Sequence, residues 1–169
     1  YAITNRTITI TFNKNGATSQ TPSGGSASTA ASITQTCTIQ NSATTCSITS
    51  PTITRDDFTI VGYNTSASAT TSSWNVSTSK NVSANATYYA ITSRAITITF
   101  YRNGNTSQTP SGGSASTAAS ITQSCTIQNS ATTCSVTSPT ITTVNAKFGV
   151  IGYSTGETRR IAKTVLEFS

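Results

Sequence analysis

Four cysteines are the residues whose type and spacing point most directly to a chemical role. They form two pairs with the same Cys-x8-Cys spacing, Cys37 with Cys46 and Cys125 with Cys134. A structural zinc site needs four ligands close together, whereas each pair supplies two thiols and the chain has no His. A redox motif would favour Cys-x-x-Cys. The spacing therefore indicates structural disulfides.

A tight hairpin explains how each pair would meet. If Asn41-Ser42 form a two-residue loop, Cys37 lies opposite Cys46 in a non-hydrogen-bonded pair, with the Cα atoms about 4.5–5.5 Å apart. That separation is within reach of a disulfide. We therefore predict the disulfides Cys37–Cys46 and Cys125–Cys134. Because such bonds persist in oxidising surroundings, we also predict an extracellular location, outside a reducing cytosol.

Other catalytic chemistry has few residues to draw on. The chain has no His and only four Asp and Glu, so neither a Ser-His-Asp triad nor a calcium cage is expected. Asp56-Asp57 is the only acidic pair, and the second copy of the repeat described below has Val144-Asn145 in that region. A turn explains the pair better than a repeated metal or catalytic site. We expect no enzyme activity, no metal and no cofactor.

The charge pattern bears on partners. The net charge is +6, but the ten Lys and Arg are scattered, and only Arg159-Arg160 are adjacent. Nucleic-acid binders usually cluster basic residues on one face, so no nucleic-acid partner is expected. No apolar run approaches the roughly 18–20 residues of a membrane-spanning helix.

An internal repeat must position the cysteines twice. Residues 1–54 align with residues 89–142 without a gap, and 47 of the 54 positions are identical. Beyond this stretch the copies diverge, and the second copy lacks a counterpart of the segment 84–92. We therefore predict two tandem modules, residues 1–88 and residues 89–169, the second with a divergent C-terminal part. The chain itself is expected to be a piece of a longer protein or a processed subunit.

Alternating side chains predict strands in each module. Ile8, Ile10 and Phe12 alternate with threonines, and Asn15-Gly16 then supply a turn with positive φ. No segment combines helix capping with a 3.6-residue period, although a short helical turn is considered for residues 65–79. The expected fold is all-β, with two tandem disulfide-stapled β modules, each β-grasp-like or a small sandwich.

Aromatic side chains and glycosylation sequons are further candidates for function. Tyr63, Trp74 and Tyr88 would form either a sugar-stacking patch or, as we favour, the core of a module with few other large apolar groups. Six Asn-x-Ser/Thr sequons are weak indicators of N-glycosylation, because a chain rich in Asn, Ser and Thr gives several by chance. They begin at Asn5, Asn64, Asn75, Asn81, Asn85 and Asn105.

Several segments of the first copy match a known pattern. They are FTIVGYNT at residues 58–65, WNVST at 74–78 and NATYYA at 85–90, together with ITITF at 8–12 and the Asn-Gly turn at 15–16. The chain thereby resembles the Listeria–Bacteroides surface repeat family, related to the internalin B-repeat. The resemblance implies a β-grasp-like module, repeated in tandem on secreted or wall-attached bacterial proteins as a stalk or adhesive segment. Tyr63 replaces the family's Trp, and residues of about 20–50 look like an insertion.

These observations lead to two hypotheses of different classes. The first is a structural extracellular tandem-repeat protein that forms a bacterial cell-surface stalk or a self-assembling filament, with other copies of itself or neighbouring repeats as partners. In its sharper form an inter-subunit strand, consisting of Tyr1, Ala2, Ile3 and Thr4, completes the second copy of the next subunit. Residues 161–168 could instead close that copy internally. The alternative is an adhesin or carbohydrate-binding module with glycan partners.

Overall fold

The computed structural model describes residues 2–143 and 152–155 of the chain. These residues contain eleven β-strands and no helix, which confirms the predicted all-β fold. Bends and turns occupy residues 65–78, so the helical turn considered for this region is not formed. In the described residues there is accordingly no helix that could cross a membrane.

Four strands of nine or more residues belong to the five-stranded main sheet, and the other strands have six residues or fewer. In chain order they are β1 (Asn5–Asn13), β2 (Ser19–Thr21), β3 (Ser32–Gln40), β4 (Cys46–Thr49), β5 (Thr52–Thr54), β6 (Thr59–Asn64), β7 (Ser79–Val82), β8 (Ala86–Tyr101), β9 (Ser107–Thr109), β10 (Ser120–Gln128) and β11 (Thr140–Thr142).

The chain divides into two compact units that do not follow the repeat boundary. Unit 1 comprises Tyr1–Ile96 together with Cys125–Ser135, and unit 2 comprises Thr97–Ser124 together with Val136–Ser169. The expected boundary between residues 88 and 89 lies inside β8, a single strand of 16 residues. Because β8 is continuous there, contacts and sequence repeats divide the chain differently.

The main sheet of unit 1 is built around β1. Strand β3 pairs with β1 antiparallel over the full length of both strands, from Asn5↔Gln40 to Asn13↔Ser32. The first residues of β8 pair with the other edge of β1 in parallel, and the next residues of β8 pair antiparallel with β6. Strand β8 therefore closes the sheet on the side of β1 that β3 leaves open.

The two faces of β1 differ as the alternation predicts. Ile8, Ile10 and Phe12 are at most 2% exposed and form the centre of the core. On the opposite face, threonines of β1 stand directly across from threonines of β3, in the pairs Thr7↔Thr38, Thr9↔Thr36 and Thr11↔Thr34. Such cross-strand Thr pairs suit a partly solvated sheet face.

Aromatic rings complete the core of unit 1. The ring of Phe12 lies 4.9 Å from that of Tyr63 and 5.4 Å from that of Trp74, and Trp74 lies 5.0 Å from Tyr88, in edge-to-face geometry. Each of these four rings is at most 8% exposed. Rings in this arrangement bury much apolar area in a chain that is only 34% hydrophobic.

Both predicted disulfides, Cys37–Cys46 and Cys125–Cys134, are present, each with a Cα–Cα distance of 5.9 Å. The tight turn is also formed, since Asn41 has a φ of 53° and the Ala43 amide donates to the Gln40 carbonyl at 3.0 Å. The expected hairpin ladder is not formed, because β4 pairs with β7 and not with β3. The disulfide therefore links two strands that have different pairing partners.

Unit 2 repeats part of this arrangement. Strand β9 pairs with β11, as β2 pairs with β5 in unit 1. Phe100 contacts Tyr153 edge-to-face at 4.9 Å, in the place of Phe12 and Tyr63. Unit 2 has no counterpart of Trp74, because the second copy diverges in that region.

Candidate assembly interface

Unit 1 is completed by residues of the second sequence copy. Ala90, Ile91 and Thr92 are at most 1% exposed. They lie in β8 and pair with β6, across a bulge between Ile60 and Gly62. Ile91 is buried although it follows the first copy, because the preceding module provides the strand and the core against which it packs.

A second segment of the same copy joins these residues. Asn129, at the tip of the second cysteine hairpin, is 6% exposed. Its Oδ1 accepts from the Thr92 amide at 3.2 Å, and its Nδ2 donates to the carbonyls of Ala67 and Ala69 at 3.0 Å each. Its own amide donates to the Thr92 carbonyl at 2.9 Å. We call Ala90–Thr92 together with Asn129–Ala131 the plug.

Arg55 holds the plug from the first module. Its guanidinium donates to Thr92 Oγ1 at 2.8 Å, to the Asn129 carbonyl and to the Ala131 carbonyl at 3.2 Å. The same group lies 3.5 Å from the ring centroid of Phe58, a cation–π contact. Burial lowers the pKa of Arg55 from its usual value. One side chain of the first module thus donates hydrogen bonds to three oxygen atoms of the plug.

The turn after β1 forms another wall of the interface. Asn15 has a φ of 45°, as predicted, and its Nδ2 donates to the carbonyls of Ala67 and Ala90 at 2.9 Å each. A Cβ placed on Gly16 would lie 2.6 Å from the Cα of Ser130, so the turn and the hairpin tip are in close contact. We call Asn15, Gly16, Arg55, Ala67 and Ala69, together with β6, the acceptor.

The first sequence copy carries the residues of the plug without an acceptor in the described part of the chain. Ala2, Ile3 and Thr4 are exposed, Ile3 to 88%, whereas its counterpart Ile91 is 1% exposed. The Asn41 amide donates to the Thr4 carbonyl at 2.8 Å, matching the bond from Asn129 to Thr92. The φ of Asn41 is 53° and that of Asn129 is 52°. The two copies therefore share one local conformation in different surroundings.

The aromatic residues do not form a surface patch. Tyr63, Trp74 and Tyr88 are 0%, 4% and 8% exposed, so the sugar-stacking interpretation is wrong and the core interpretation is correct. The Tyr63 hydroxyl accepts from Gln20 Nε2 at 3.0 Å, and burial raises the pKa of Tyr63. The phenol therefore serves packing, since a sugar ring has no access to it.

The remaining candidates lie apart from one another. Asp57 is in a turn with a φ of 61° and lies 3.8 Å from Arg94, an exposed ion pair. In the residues that the structure describes, no three metal-binding side chains come together. Tyr1, Val144-Asn145 and residues 156–169, which include the proposed closing segment, are outside the described residues.

The sequons occupy surfaces of different exposure. Asn5, Asn75, Asn81 and Asn85 are exposed, whereas Asn64 and Asn105 are half-buried. Asn64 donates from Nδ2 to the Thr71 carbonyl at 2.9 Å, and Asn105 donates likewise to the Arg102 carbonyl at 3.0 Å. The four exposed sites are therefore the ones at which glycosylation would leave internal hydrogen bonds of the Nδ2 group intact.

Unit 2 contains an open groove where unit 1 is filled. The groove has a volume of about 440 Å³ and is lined by Ser138, Pro139, Thr140, Ile141, Gly152 and Tyr153. In unit 1 the matching surface is covered by the turn after Trp74. There Ser50 Oγ donates to the Asn75 carbonyl at 2.6 Å, and the Ser77 amide donates to the Ser50 carbonyl. The second copy has no sequence counterpart of this turn.

Sequence reasoning identified the strand of the interface but not its polar contacts. Arg55 was not a candidate, and Asn41 was considered only as a turn residue. One signal was available, since the hairpin tip Asn-Ser-Ala is unchanged between the copies whereas seven positions elsewhere differ. A turn alone would not require Asn at that position, because Gly also adopts positive φ.

Comparison with known proteins leaves the geometry as the basis for function: neither a protein-family model, nor a curated protein, nor a solved structure matches the chain.

Proposed function

We propose that the protein is a structural tandem-repeat protein of the bacterial cell surface, in which each repeat is completed by the one that follows it. Its role is mechanical and not enzymatic: strands, disulfides and repeat interfaces carry the load of a stalk or filament. The Listeria–Bacteroides surface repeat resemblance supports the cell-surface setting.

The observation that carries this proposal is the burial of the plug. Strand β8 belongs by its first residues to the sheet of unit 1, and the hairpin tip with Asn129 docks beside it. A self-contained domain has its own hydrophobic core and is not completed by residues of a neighbouring repeat. In a repeat array, by contrast, interfaces between neighbours supply a large share of the stability.

The disulfides support the location. Two disulfides and no free cysteine are found in the described residues, which indicates an oxidising, extracellular setting. Each disulfide closes a loop of ten residues, and such a loop contributes roughly 2–3 kcal/mol in the chain-entropy model. A stalk exposed to the medium gains from this local stapling.

Between the two architectures, the sequence favours a stalk of covalently joined repeats over a filament of separate subunits. In a filament, the second copy would have to accept the N-terminal strand of the next subunit. At the position of Arg55 the second copy has Thr143 or Asn145, depending on the alignment, so it lacks the guanidinium that holds the plug. A first-copy acceptor matches the plug better.

Imaging of the natural material tests the proposed function. An antibody raised against the folded chain is applied to the producing cells, which are then examined by negative-stain electron microscopy. We expect label along extracellular projections, with removal of intact projections depleting the antigen. Antigen found only inside the cells, or only as free single particles in the medium, would contradict the proposal. Glycan binding by the intact chain would favour an adhesin instead.

A further inference from the structure

We propose that Ala2–Thr4 and Asn41–Ala43 form a second plug, which is not docked in this structure. Its partner is a second copy of residues 1–88. This inference rests on the proposed function and deepens it, because it names the residues by which one repeat recognises another. The partner would seat the plug on its own Arg55, Ala67 and Ala69, as unit 1 seats Ala90–Thr92 and Asn129–Ala131.

The undocked segments have the same sequence and local conformation as the docked plug. Ala2–Thr4 and Asn41–Ala43 are identical, residue for residue, to the plug that is docked in unit 1. The hydrogen bond that joins the two segments is present in both copies, at 2.8 Å and 2.9 Å. The tight turn is present in both as well, with Ala43 and Ala131 donating to Gln40 and Gln128 at 3.0 Å. The surface is therefore preorganised before any partner binds, which lowers the entropic cost of docking.

The undocked segments expose side chains whose counterparts are buried in the docked plug. Ile3 is 88% exposed, and its counterpart Ile91, which is 1% exposed, shows the environment that this side chain can occupy. In the described residues the Asn41 side chain makes no hydrogen bond, whereas the Asn129 side chain makes three. A partner that supplies the acceptor would bury Ile3 and give the Asn41 side chain its hydrogen-bond partners.

A copy of residues 1–88 contains every residue that the acceptor needs. Every acceptor residue, from Asn15 to Ala69, lies within residues 1–88, and every plug residue lies in the copy that follows. An exposed ion pair extends the match: Asp57 lies 3.8 Å from Arg94, whose counterpart in the first copy is Arg6. One repeat therefore carries an acceptor for its successor and a plug for its predecessor.

An extended chain tests this inference. A copy of residues 1–88 is joined directly before Tyr1 of the complete chain, so that the new junction has the sequence found at residues 88–89. Amide hydrogen exchange is then measured at Thr4, because the corresponding Thr92 amide donates to Asn129 Oδ1. We expect exchange at Thr4 to be at least about tenfold slower in the extended chain than in the parent chain.

Two variants separate docking from a general change in stability. Asn41→Ala, made in the original first copy and not in the added one, should restore fast exchange at Thr4 in the extended chain. In the parent chain the same change should leave exchange at Thr92 unchanged. Arg55→Gln, made only in the added copy, should have the same effect as Asn41→Ala without altering the plug.

The outcomes are decisive in either direction. Equal exchange at Thr4 in the parent and extended chains would overturn the inference, and so would an added copy that remains unfolded, because the plug would then fail to complete it. The result is independent of imaging: protected Thr4 without surface projections would refute the stalk and leave the docking intact.

Discussion

At the residue scale, Asn129 is the side chain on which the repeat interface depends most. Its amide group uses both donors and its carbonyl oxygen, and it does so at a position with positive φ, which Asn tolerates better than most residues. Only Asn combines that backbone conformation with an amide short enough to reach the neighbouring loop.

Replacing this asparagine in each copy gives a matched comparison. Asn129→Ala should lower the free energy of unfolding by about 2–3 kcal/mol more than Asn41→Ala, because it removes three hydrogen bonds and leaves a buried amide unsatisfied. Both substitutions place Ala at a φ near 52°, so the backbone strain cancels in the difference. Denaturant unfolding measures it, and equal losses from the two variants would argue against a docked plug.

Tyr63 should give unit 1 a specific sensitivity to alkaline pH. Burial raises the pKa of Tyr63 above that of an unfolded tyrosine, so its contribution to stability is complete below about pH 10 and is lost as the pH rises further. The free energy of unfolding should therefore fall more steeply above about pH 10 in the parent chain than in Tyr63→Phe.

An exposed tyrosine provides the control for this measurement. Tyr101 is 68% exposed, and Tyr101→Phe should keep the parent's alkaline slope. At neutral pH, Tyr63→Phe should cost about 1 kcal/mol, because Gln20 Nε2 loses its acceptor. If Tyr63→Phe and Tyr101→Phe have the same slope, Tyr63 is not the buried group described here.

At the scale of the elements, the Asn-Gly turns show how one motif acquires two roles. Both copies place Gly at positive φ, 88° at Gly16 and 84° at Gly104. Gly16 lies against the hairpin tip of the plug, whereas no residue of the described chain lies within 4 Å of a Cβ built on Gly104. The first turn is therefore part of the acceptor, whereas the second has no such contact with the described residues.

Alanine at these two glycines separates strain from contact. Gly16→Ala and Gly104→Ala incur a similar conformational penalty, but Gly16→Ala also forces its Cβ to within 2.6 Å of the Ser130 backbone. We expect Gly16→Ala to be more destabilising by about 1–3 kcal/mol, since backbone cannot move aside as a flexible side chain would. Calorimetric unfolding of both variants measures this, and a Gly104→Ala loss equal to that of Gly16→Ala would speak against the contact.

The sequence allowed the local elements to be predicted better than their partners. Alternation in β1 correctly assigned Ile8, Ile10 and Phe12 to the core, because a period of two follows directly from strand geometry. The cysteine spacing correctly gave the disulfides. Pairing of β4 with β7 was missed, because a hairpin is the nearest partner in sequence whereas β7 lies some 30 residues further along the chain.

The acceptor was beyond sequence reasoning for a similar reason. Arg55 contacts Asn129 across 74 positions of the chain, and a single arginine in a loop usually indicates only a solvated charge. The sequence left Tyr63 and Trp74 either in a sugar-stacking patch or, as favoured, in the core, and it gave no sign of the β-bulge between Ile60 and Gly62 that precedes the buried Tyr63. Long-range contacts of this kind follow from the whole sheet, which no local pattern specifies.

At the scale of the whole molecule, unit 1 is built from residues of both sequence copies. The residues of β8 up to Ile96 belong to unit 1, and those from Thr97 onward belong to unit 2. The second copy diverges in sequence after Tyr153, and unit 2 has an open groove lined by residues 138–141, Gly152 and Tyr153. Stability should therefore depend on how many repeats stand in a row, as in other linear repeat proteins.

A series of chains with zero, one and two added copies of residues 1–88 before Tyr1 tests this dependence most directly. Equilibrium denaturant unfolding is measured for each chain under oxidising conditions. We expect the midpoint to rise with each added copy, because every copy adds one acceptor–plug interface and thereby increases the number of interfaces per repeat. A midpoint that stays constant, with each added copy unfolding as an independent transition, would contradict the view that these repeats are building units completed by their neighbours.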